Sequence, residues 1–213
     1  MTLEPGEPHA GPWSVVSLAE VIERLHATST APTNRPRIVA IDGRSGAGKS
    51  TLVRQLRAQL RDSAVVHTDD IAWHHSFFDW HADLAEHVLR PLRRGEAVDH
   101  RPRAWHEKGR EGSIRVPAGT PAVVVEGVSA SHRRLAGLCD LAIWLETDPG
   151  VAHHRVVERD GPDELDFIAE WDAAEIPFLT DDAPWERADL LVSGEPHLPH
   201  DPTSQALVRA RHS

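Results

Sequence analysis

The chain has 213 residues, a net charge of −10 and a pI of about 5.8, which suits one medium-sized α/β domain with a substantial core. An acidic chain without a basic run is a poor candidate for binding nucleic acid or an anionic membrane surface, and no apolar run is long enough to span a bilayer. The single cysteine, Cys139, rules out an internal disulfide and is typical of the reducing cytoplasm.

The chain begins with an acidic, Pro-rich stretch that does not resemble a signal peptide, and we expect a loose arm over residues 1–13. Ser17 can cap a helix that runs from Leu18 to about Ala27, with Glu20 completing a capping box. Residues 1–36 are therefore interpreted as an N-terminal arm and helix that precede the main domain.

The most informative stretch follows, because a short β-branched run leads directly into the pattern G-x-x-x-x-G-K-[ST]. The residues after the motif have apolar side chains at helical spacing, so the context is strand, tight loop and helix. This is the arrangement of a phosphate-binding P-loop. The predicted nucleotide-binding residues are Gly43, Arg44, Ser45, Gly46, Ala47, Gly48, Lys49, Ser50 and Thr51.

Each part of this loop suits phosphate binding. Glycines adopt backbone angles that other residues avoid and let successive N–H groups point at an anion. The start of the following helix adds partial positive charge. Lys49 would reach the β- and γ-phosphates of ATP, and the hydroxyl of Ser50 would bind Mg²⁺.

Five short apolar segments alternate with helical segments, which predicts a P-loop NTPase fold of class α/β. Its sheet would be mainly parallel, doubly wound and five-stranded, with helices on both faces. The predicted strands are 38–42, 64–67, 121–127, 138–145 and 188–192. Residues 37–194 would form this domain, residues 95–119 are compatible with a small antiparallel insertion, and residues 195–213 read as a loose tail. Pro91 should bend or end early the helix that begins at Asp83.

Three carboxylates follow predicted strands and should meet at the edge where such sheets bind ligands. Asp69 or Asp70 could accept the proton of an attacking hydroxyl, although either could also be a helix cap or a solvated turn residue. Glu126 ends the most apolar strand, where an unpaired carboxylate would be costly. It could bind Mg²⁺ directly or through water, or it could cap the next helix or pair with an arginine.

Arg155 and Arg159 are four residues apart on a predicted helix and so share one face. They could clamp a transferring phosphoryl group, or they could be ordinary surface arginines paired with neighbouring acids. Trp73 and Trp105 lie near the predicted acceptor side. They could stack on a flat substrate or form a small core under a long loop.

Several of these segments resemble the uridine kinase family, which groups with phosphoribulokinase and bacterial pantothenate kinase. Residues 41–51 resemble that family's P-loop, and Asp69 matches the acid in its D-S-F-Y-like segment. Residues 124–127 are similar to its V-x-E-G strand end, and the residues from Arg155 to Asp160 are similar to its lid sequence R-x-x-x-R-D. The resemblance implies a general base, a magnesium-associated glutamate and two phosphate-clamping arginines at these positions.

The resemblance covers roughly residues 37–194. Later positions, including Trp171 and Glu175, are similar to a bacterial branch labelled uridine kinase-like or ATP-binding. The chain departs from the nucleoside kinases at Ala104, where they have an aspartate that holds the ribose, and no basic residue lies between Arg159 and Arg187.

The sequence thus predicts an ATP- and Mg²⁺-dependent kinase of the cytoplasm that phosphorylates a hydroxyl on a small molecule. Its catalytic residues would be Lys49, Asp69, Arg155 and Arg159; its metal ligands Ser50 and Glu126; its acceptor contacts Asp69, Asp70, Trp73 and Trp105. By resemblance a nucleoside, uridine or cytidine, is the leading acceptor. A sugar, a vitamin precursor or an antibiotic is the alternative, as is a non-catalytic ATP-binding regulator. No nucleic acid or membrane partner is expected, and a homo-oligomer is left open.

Overall fold

The computed structural model describes residues 7, 11–27, 34–58, 60 and 62–210. Its strands are β1 (Ser14–Ser17), β2 (Arg37–Gly43), β3 (Ala64–His67), β4 (Val98–His100), β5 (Ile114–Val116), β6 (Ala122–Glu126), β7 (Leu141–Glu146), β8 (Leu190–Ser193) and β9 (Gln205–Ala210). Its α-helices are α1 (Leu18–Ala27), α2 (Lys49–Arg57), α3 (Thr68–Ala72), α4 (His81–Leu84), α5 (Arg90–Arg93), α6 (Arg103–Lys108), α7 (Pro149–Asp160) and α8 (Leu165–Asp182). Within these ranges, no helix is long and apolar enough to cross a membrane.

Seven strands form one sheet in the order β1-β9-β8-β7-β2-β6-β3. The five strands from β8 to β3 pair in parallel, and they are the five that the sequence predicts. The mainly parallel α/β P-loop fold is therefore confirmed. The sheet is wider than predicted, because β9 pairs antiparallel to β8 and β1 pairs antiparallel to β9.

The extra strands come from the two ends of the described chain. The sequence predicts a loose tail over residues 195–213, and this is wrong for β9, which is built into the sheet. The register of β1 pairs Val15 with Leu207 and Val16 with Ala206. β1 has only four residues, and β9 follows a Pro- and His-rich stretch that reads as a tail. Pairing between the two strands satisfies backbone groups of both. The predicted arm and the linker after α1 lie largely outside the described residues.

The sheet is covered on both faces, as the doubly wound pattern predicts. Alternate residues of β2 divide between two cores, Val39 and Ile41 on one face and Ile38 and Ala40 on the other. Helices α1 and α2 pack on the first face, and the helical run from α4 to α5 packs on the second. With both faces buried, β2 reads as a continuous apolar strand.

The helix around Pro91 does not end early, because it continues to Arg93. A π-helical turn, Ala85–Leu89, separates α4 from α5 immediately before the proline. Proline removes a backbone donor and crowds the carbonyl four residues earlier, and the wider π turn changes the hydrogen-bonding register there. Residues 95–119 contain the antiparallel pair β4 and β5, with α6 between them.

Candidate active site

The P-loop connects β2 to α2 through glycines in left-handed backbone conformations. The φ angle is +76° at Gly46 and +99° at Gly48, values that side chains disfavour. A Cβ atom added to Gly46 would lie 2.8 Å from the carbonyl carbon of Ala152 in α7, and closer still to its oxygen. Gly46 is thus required both by the backbone angle and by the close approach of α7.

Replacing Gly46 by alanine is expected to destabilise the protein by roughly 2–4 kcal/mol and to weaken nucleotide binding, because α7 must move off the loop. Gly109→Ala is the matched control. Its φ angle is +71° and an added Cβ meets no atom within 4 Å, so only backbone strain of about 1 kcal/mol applies. Denaturant unfolding compares the two variants, and equal losses of stability would contradict the close approach at Gly46.

Lys49 is buried and folds back over the loop that precedes it. Its ammonium group donates hydrogen bonds to the carbonyl oxygens of Gly43 at 2.9 Å and Arg44 at 3.0 Å. The Arg44 side chain turns the other way, into a buried ion pair of 2.6 Å with Glu7. Lys49 is therefore the loop cation that faces the phosphate site, while Arg44 contributes to that site only through its backbone.

The remaining P-loop residues are held from three sides. Ala47 is buried, and its carbonyl oxygen accepts a hydrogen bond from the hydroxyl of Thr147 at 3.0 Å. The backbone N–H of Ser45 donates to the carboxylate of Glu175 in α8 at 2.8 Å. Thr51 is exposed at the start of α2, where it borders the cavity described below. The loop is thus fastened to the strand β7 end and to α8 as well as to α7.

Glu126, at the end of β6, lies between two side chains. Its Oε1 accepts a hydrogen bond from the hydroxyl of Ser50 at 3.0 Å, and its Oε2 lies 2.6 Å from Nδ1 of His67. Burial raises the pKa of Glu126, but the hydrogen bond with His67 and the charge of Lys49 outweigh this, so the pKa lies below its usual value. Glu126 is therefore an anion beside Ser50, the arrangement expected of two oxygen ligands for Mg²⁺.

Asp69 and Asp70 are the second and third residues of α3, a short helix where the sequence suggests a turn. Asp69 borders the cavity in front of the P-loop. Asp70 instead pairs with Arg110, and its carbonyl oxygen accepts a 2.9 Å hydrogen bond from the indole of Trp105. The structure thus brings Asp69, and not Asp70, to the P-loop cavity.

Arg155 and Arg159 both border this cavity from α7. Arg155 donates to the carbonyl oxygen of Gly194 at 3.1 Å and lies 3.4 Å from that of Gly46. Arg159 makes two hydrogen bonds of 2.6 Å with Asp160, and this pairing raises its pKa above the usual value. Arg155 is therefore built into the loop region, whereas Arg159 is exposed and held by a surface pair.

The cavity has a volume of about 420 Å³. The P-loop, Asp69 and Glu126 form its polar side, and α8 contributes an apolar wall of Phe167, Ile168 and Trp171. Sequence reasoning did not assign this wall to the site. Phe167 and Trp171 are four residues apart in the sequence, which is the available signal, but spacing alone does not say which cavity a helix borders.

Of the four predicted acceptor contacts, Asp70 and both tryptophans lie away from the P-loop cavity. Trp105 is only 4% exposed and packs in the core beneath α3, where Arg110 lies 3.6 Å above its ring. Trp73 is partly buried against the same core. Neither borders the P-loop cavity. Trp105 belongs to α6, and its indole donates to the carbonyl oxygen of Asp70. Trp73 follows α3, with Arg110 5.3 Å from the centre of its ring.

The comparisons with known proteins agree with this geometry. A model described as the phosphoribulokinase/uridine kinase family matches residues 72–163. A comparison with functionally curated proteins gives no significant match.

Three similar solved structures have the same fold. A possible uridine kinase from Bacillus stearothermophilus is 21% identical, with a TM-score of 0.53, over 81% of this chain and 98% of that one. A candidate fructose transport system kinase from Silicibacter sp. TM1040 is 19% identical, with a TM-score of 0.50, over 81% and 92% of the two chains. Phosphoribulokinase from Rhodobacter spheroides is 13% identical, with a TM-score of 0.50, over 84% and 81%.

Three observations support the same activity. They are the glycine-dependent conformation of the P-loop, the parallel sheet behind it and the family match over residues 72–163. Residues 72–163 of the chain match the phosphoribulokinase/uridine kinase family, and a phosphotransferase that acts on a hydroxyl group is the activity that this match and the P-loop kinase fold support.

Proposed function

We propose that the protein transfers the γ-phosphoryl group of MgATP to a hydroxyl of a neutral small molecule with a flat or apolar part, with a nucleoside as the leading candidate. The observation that carries the proposal is that Asp69 faces the same cavity as Lys49, Ser50 and Glu126. A base, a phosphate-binding cation and two metal ligands around one cavity are the components of phosphoryl transfer.

The nucleotide would extend over two adjoining cavities. A second cavity of about 290 Å³ shares Gly48, Thr51 and Arg155 with the first and continues towards Pro196 and Pro202. It would take the base and ribose of ATP, since neither Asp69 nor Glu126 borders it. The phosphate chain would then cross the loop beside Arg155.

Ser50 and Glu126 fit a magnesium ion through their chemistry. Both present oxygen atoms, which hard cations prefer, and Mg²⁺ needs only one or two protein ligands when phosphates and water supply the rest. Bound Mg²⁺ would neutralise charge on the phosphate oxygens. His67 would release one oxygen of Glu126 when the metal takes it.

Asp69 would accept the proton of the acceptor hydroxyl as its oxygen bonds to the γ-phosphorus. The bond between that phosphorus and the β,γ-bridging oxygen breaks, and the products are ADP and a phosphate monoester. Lys49, the loop N–H groups and Arg155 would hold the phosphate oxygens throughout. Arg159 would join them by leaving its surface pair with Asp160.

The charges around the cavity favour a neutral acceptor. Among the described residues, its cationic side chains are Lys49, Arg155 and Arg159, and all three are assigned to the phosphates of ATP. A phosphorylated or carboxylated acceptor would need a further cation, and it would also approach Asp69. The wall formed by Phe167 and Trp171 instead suits a flat ring, which favours a nucleoside over an open-chain sugar.

The test is ADP release with MgATP across neutral nucleosides, sugars and vitamin precursors, against a control without acceptor. We expect uridine or cytidine to accelerate ADP release, and uridine 3′-phosphate, which keeps the 5′-hydroxyl, to do so at least about tenfold less well. If a different neutral alcohol accelerates ADP release instead, the proposed reaction stands and that alcohol replaces the nucleoside as the acceptor. If no acceptor accelerates ADP release although ATP binds, the proposed function is contradicted and the chain is an ATP-binding regulator.

A further inference from the structure

Glu175 in α8 has its carboxylate bound to the P-loop itself. Its Oε1 accepts a hydrogen bond of 2.8 Å from the backbone N–H of Ser45, and the residue is only 5% exposed. Glycine-rich loops bind phosphate oxygens through backbone N–H groups of this kind. A carboxylate oxygen is the side-chain equivalent of a phosphate oxygen, so Glu175 occupies a donor that a bound nucleotide would use.

The surroundings of Glu175 are those of an anion that needs compensation. Burial raises its pKa above the usual value, although the N–H of Ser45 and the charges of Lys49 and Arg44 act in the opposite direction. The phosphate chain of ATP would bring several negative charges to the same N–H and the same lysine. Two anions at such short range repel strongly in a partly buried site, so the carboxylate and the phosphates are alternative occupants.

We propose that Glu175 is an internal competitor for phosphate at the P-loop, and that ATP displaces its carboxylate from Ser45. The proposal rests on the P-loop being the nucleotide site, as set out above. Glu175 would therefore lower the affinity for nucleotide, whereas Lys49 raises it.

The hydrogen bond between Glu175 and Ser45 also links the nucleotide site to the apolar wall that α8 contributes to the cavity. Trp171 precedes Glu175 by four residues and Ile168 precedes it by seven, so all three lie on one face of α8. Trp171 and Ile168 border the cavity that contains Asp69. Moving Glu175 off the loop therefore moves the wall against which the acceptor packs, and ATP and acceptor binding become coupled.

The test is the sign of the affinity change in Glu175→Gln, which keeps the side-chain shape and an oxygen acceptor for Ser45 but removes the charge. We expect the variant to bind ATP and inorganic tripolyphosphate roughly tenfold more tightly than the wild type, measured by isothermal titration calorimetry. A purely structural role of Glu175 would move both affinities the other way, because losing the contact would loosen the loop.

Asp166→Asn is the matched control, since Asp166 is an exposed acid on the same helix, and it should leave both affinities unchanged. Glu175→Met, which removes the charge at similar volume, replaces the first variant if that one does not fold. Unchanged or weaker tripolyphosphate binding in a folded variant would overturn the proposal. If the wild type itself binds neither ATP nor tripolyphosphate, the nucleotide site has failed instead, so the two failures are distinguishable.

Discussion

Asp69→Asn is expected to lower kcat by about a thousandfold while leaving the affinity for MgATP within about twofold of the wild type. Asparagine keeps the size and polarity of the side chain but cannot accept the proton of the acceptor hydroxyl. Asp69 borders the cavity in front of the P-loop but makes no hydrogen bond to the loop. Single-turnover kinetics with saturating ATP and acceptor measure the chemical step, and calorimetry measures the affinity.

Asp70→Asn is the control for this prediction, because it makes the same change one residue later. Asp70 is paired with Arg110 at the surface of the second core, so its replacement should cost at most about 1 kcal/mol of stability and should leave kcat largely intact. If Asp70→Asn lowers kcat and Asp69→Asn does not, the base is Asp70. If neither lowers kcat, no carboxylate of α3 is the base and the proposed mechanism is wrong.

Lys49→Ala is expected to weaken ATP binding by about a hundredfold or more and to abolish measurable turnover. The ammonium group is the cation held closest to the loop, where it donates to the carbonyl oxygens of Gly43 and Arg44. Charge-assisted hydrogen bonds to phosphate contribute about 1.5–3 kcal/mol each. The loss should therefore appear in both the dissociation constant and kcat, whereas Asp69→Asn changes kcat alone.

Arg54→Ala removes the same charge from an exposed position on the same helix and should change ATP affinity by less than about threefold. This comparison separates the local contact of Lys49 from the general effect of making an acidic protein more acidic. Unchanged ATP binding in a folded Lys49→Ala variant would contradict the assignment of the P-loop as the phosphate site.

Local chemistry explains why much of the fold could be predicted. A buried parallel strand reads as a continuous apolar run, as β2 and β6 do, and a glycine-rich turn between a strand and a helix has few other uses. The five parallel strands and the P-loop were therefore recognisable without tertiary information. The strands β1 and β9 were not, because β1 has only four residues and β9 follows a Pro- and His-rich stretch. β1 pairs with β9, and β9 pairs with β8.

The candidate site divides in the same way. The sequence predicts Asp69, Glu126 and Arg155 as site residues from strand ends, a helix face and the family resemblance, and all three border the P-loop cavity. The roles of Trp105 and Glu175 were decided by distant parts of the chain. The indole of Trp105 is buried beneath α3, with Arg110 above its ring and the carbonyl oxygen of Asp70 as its hydrogen-bond acceptor. The carboxylate of Glu175 binds a loop 130 residues away in the sequence.

By itself, then, the sequence determined the P-loop, the parallel sheet and a set of candidate reacting groups, because these are encoded in contiguous patterns of glycine, charge and apolar spacing. Only the tertiary structure decided which aspartate faces the cavity, which aromatic side chains form its wall, and what occupies the N–H of Ser45. Those outcomes depend on how α3 and α8 pack against the sheet. Packing between segments far apart in the chain leaves no periodic pattern in either of them.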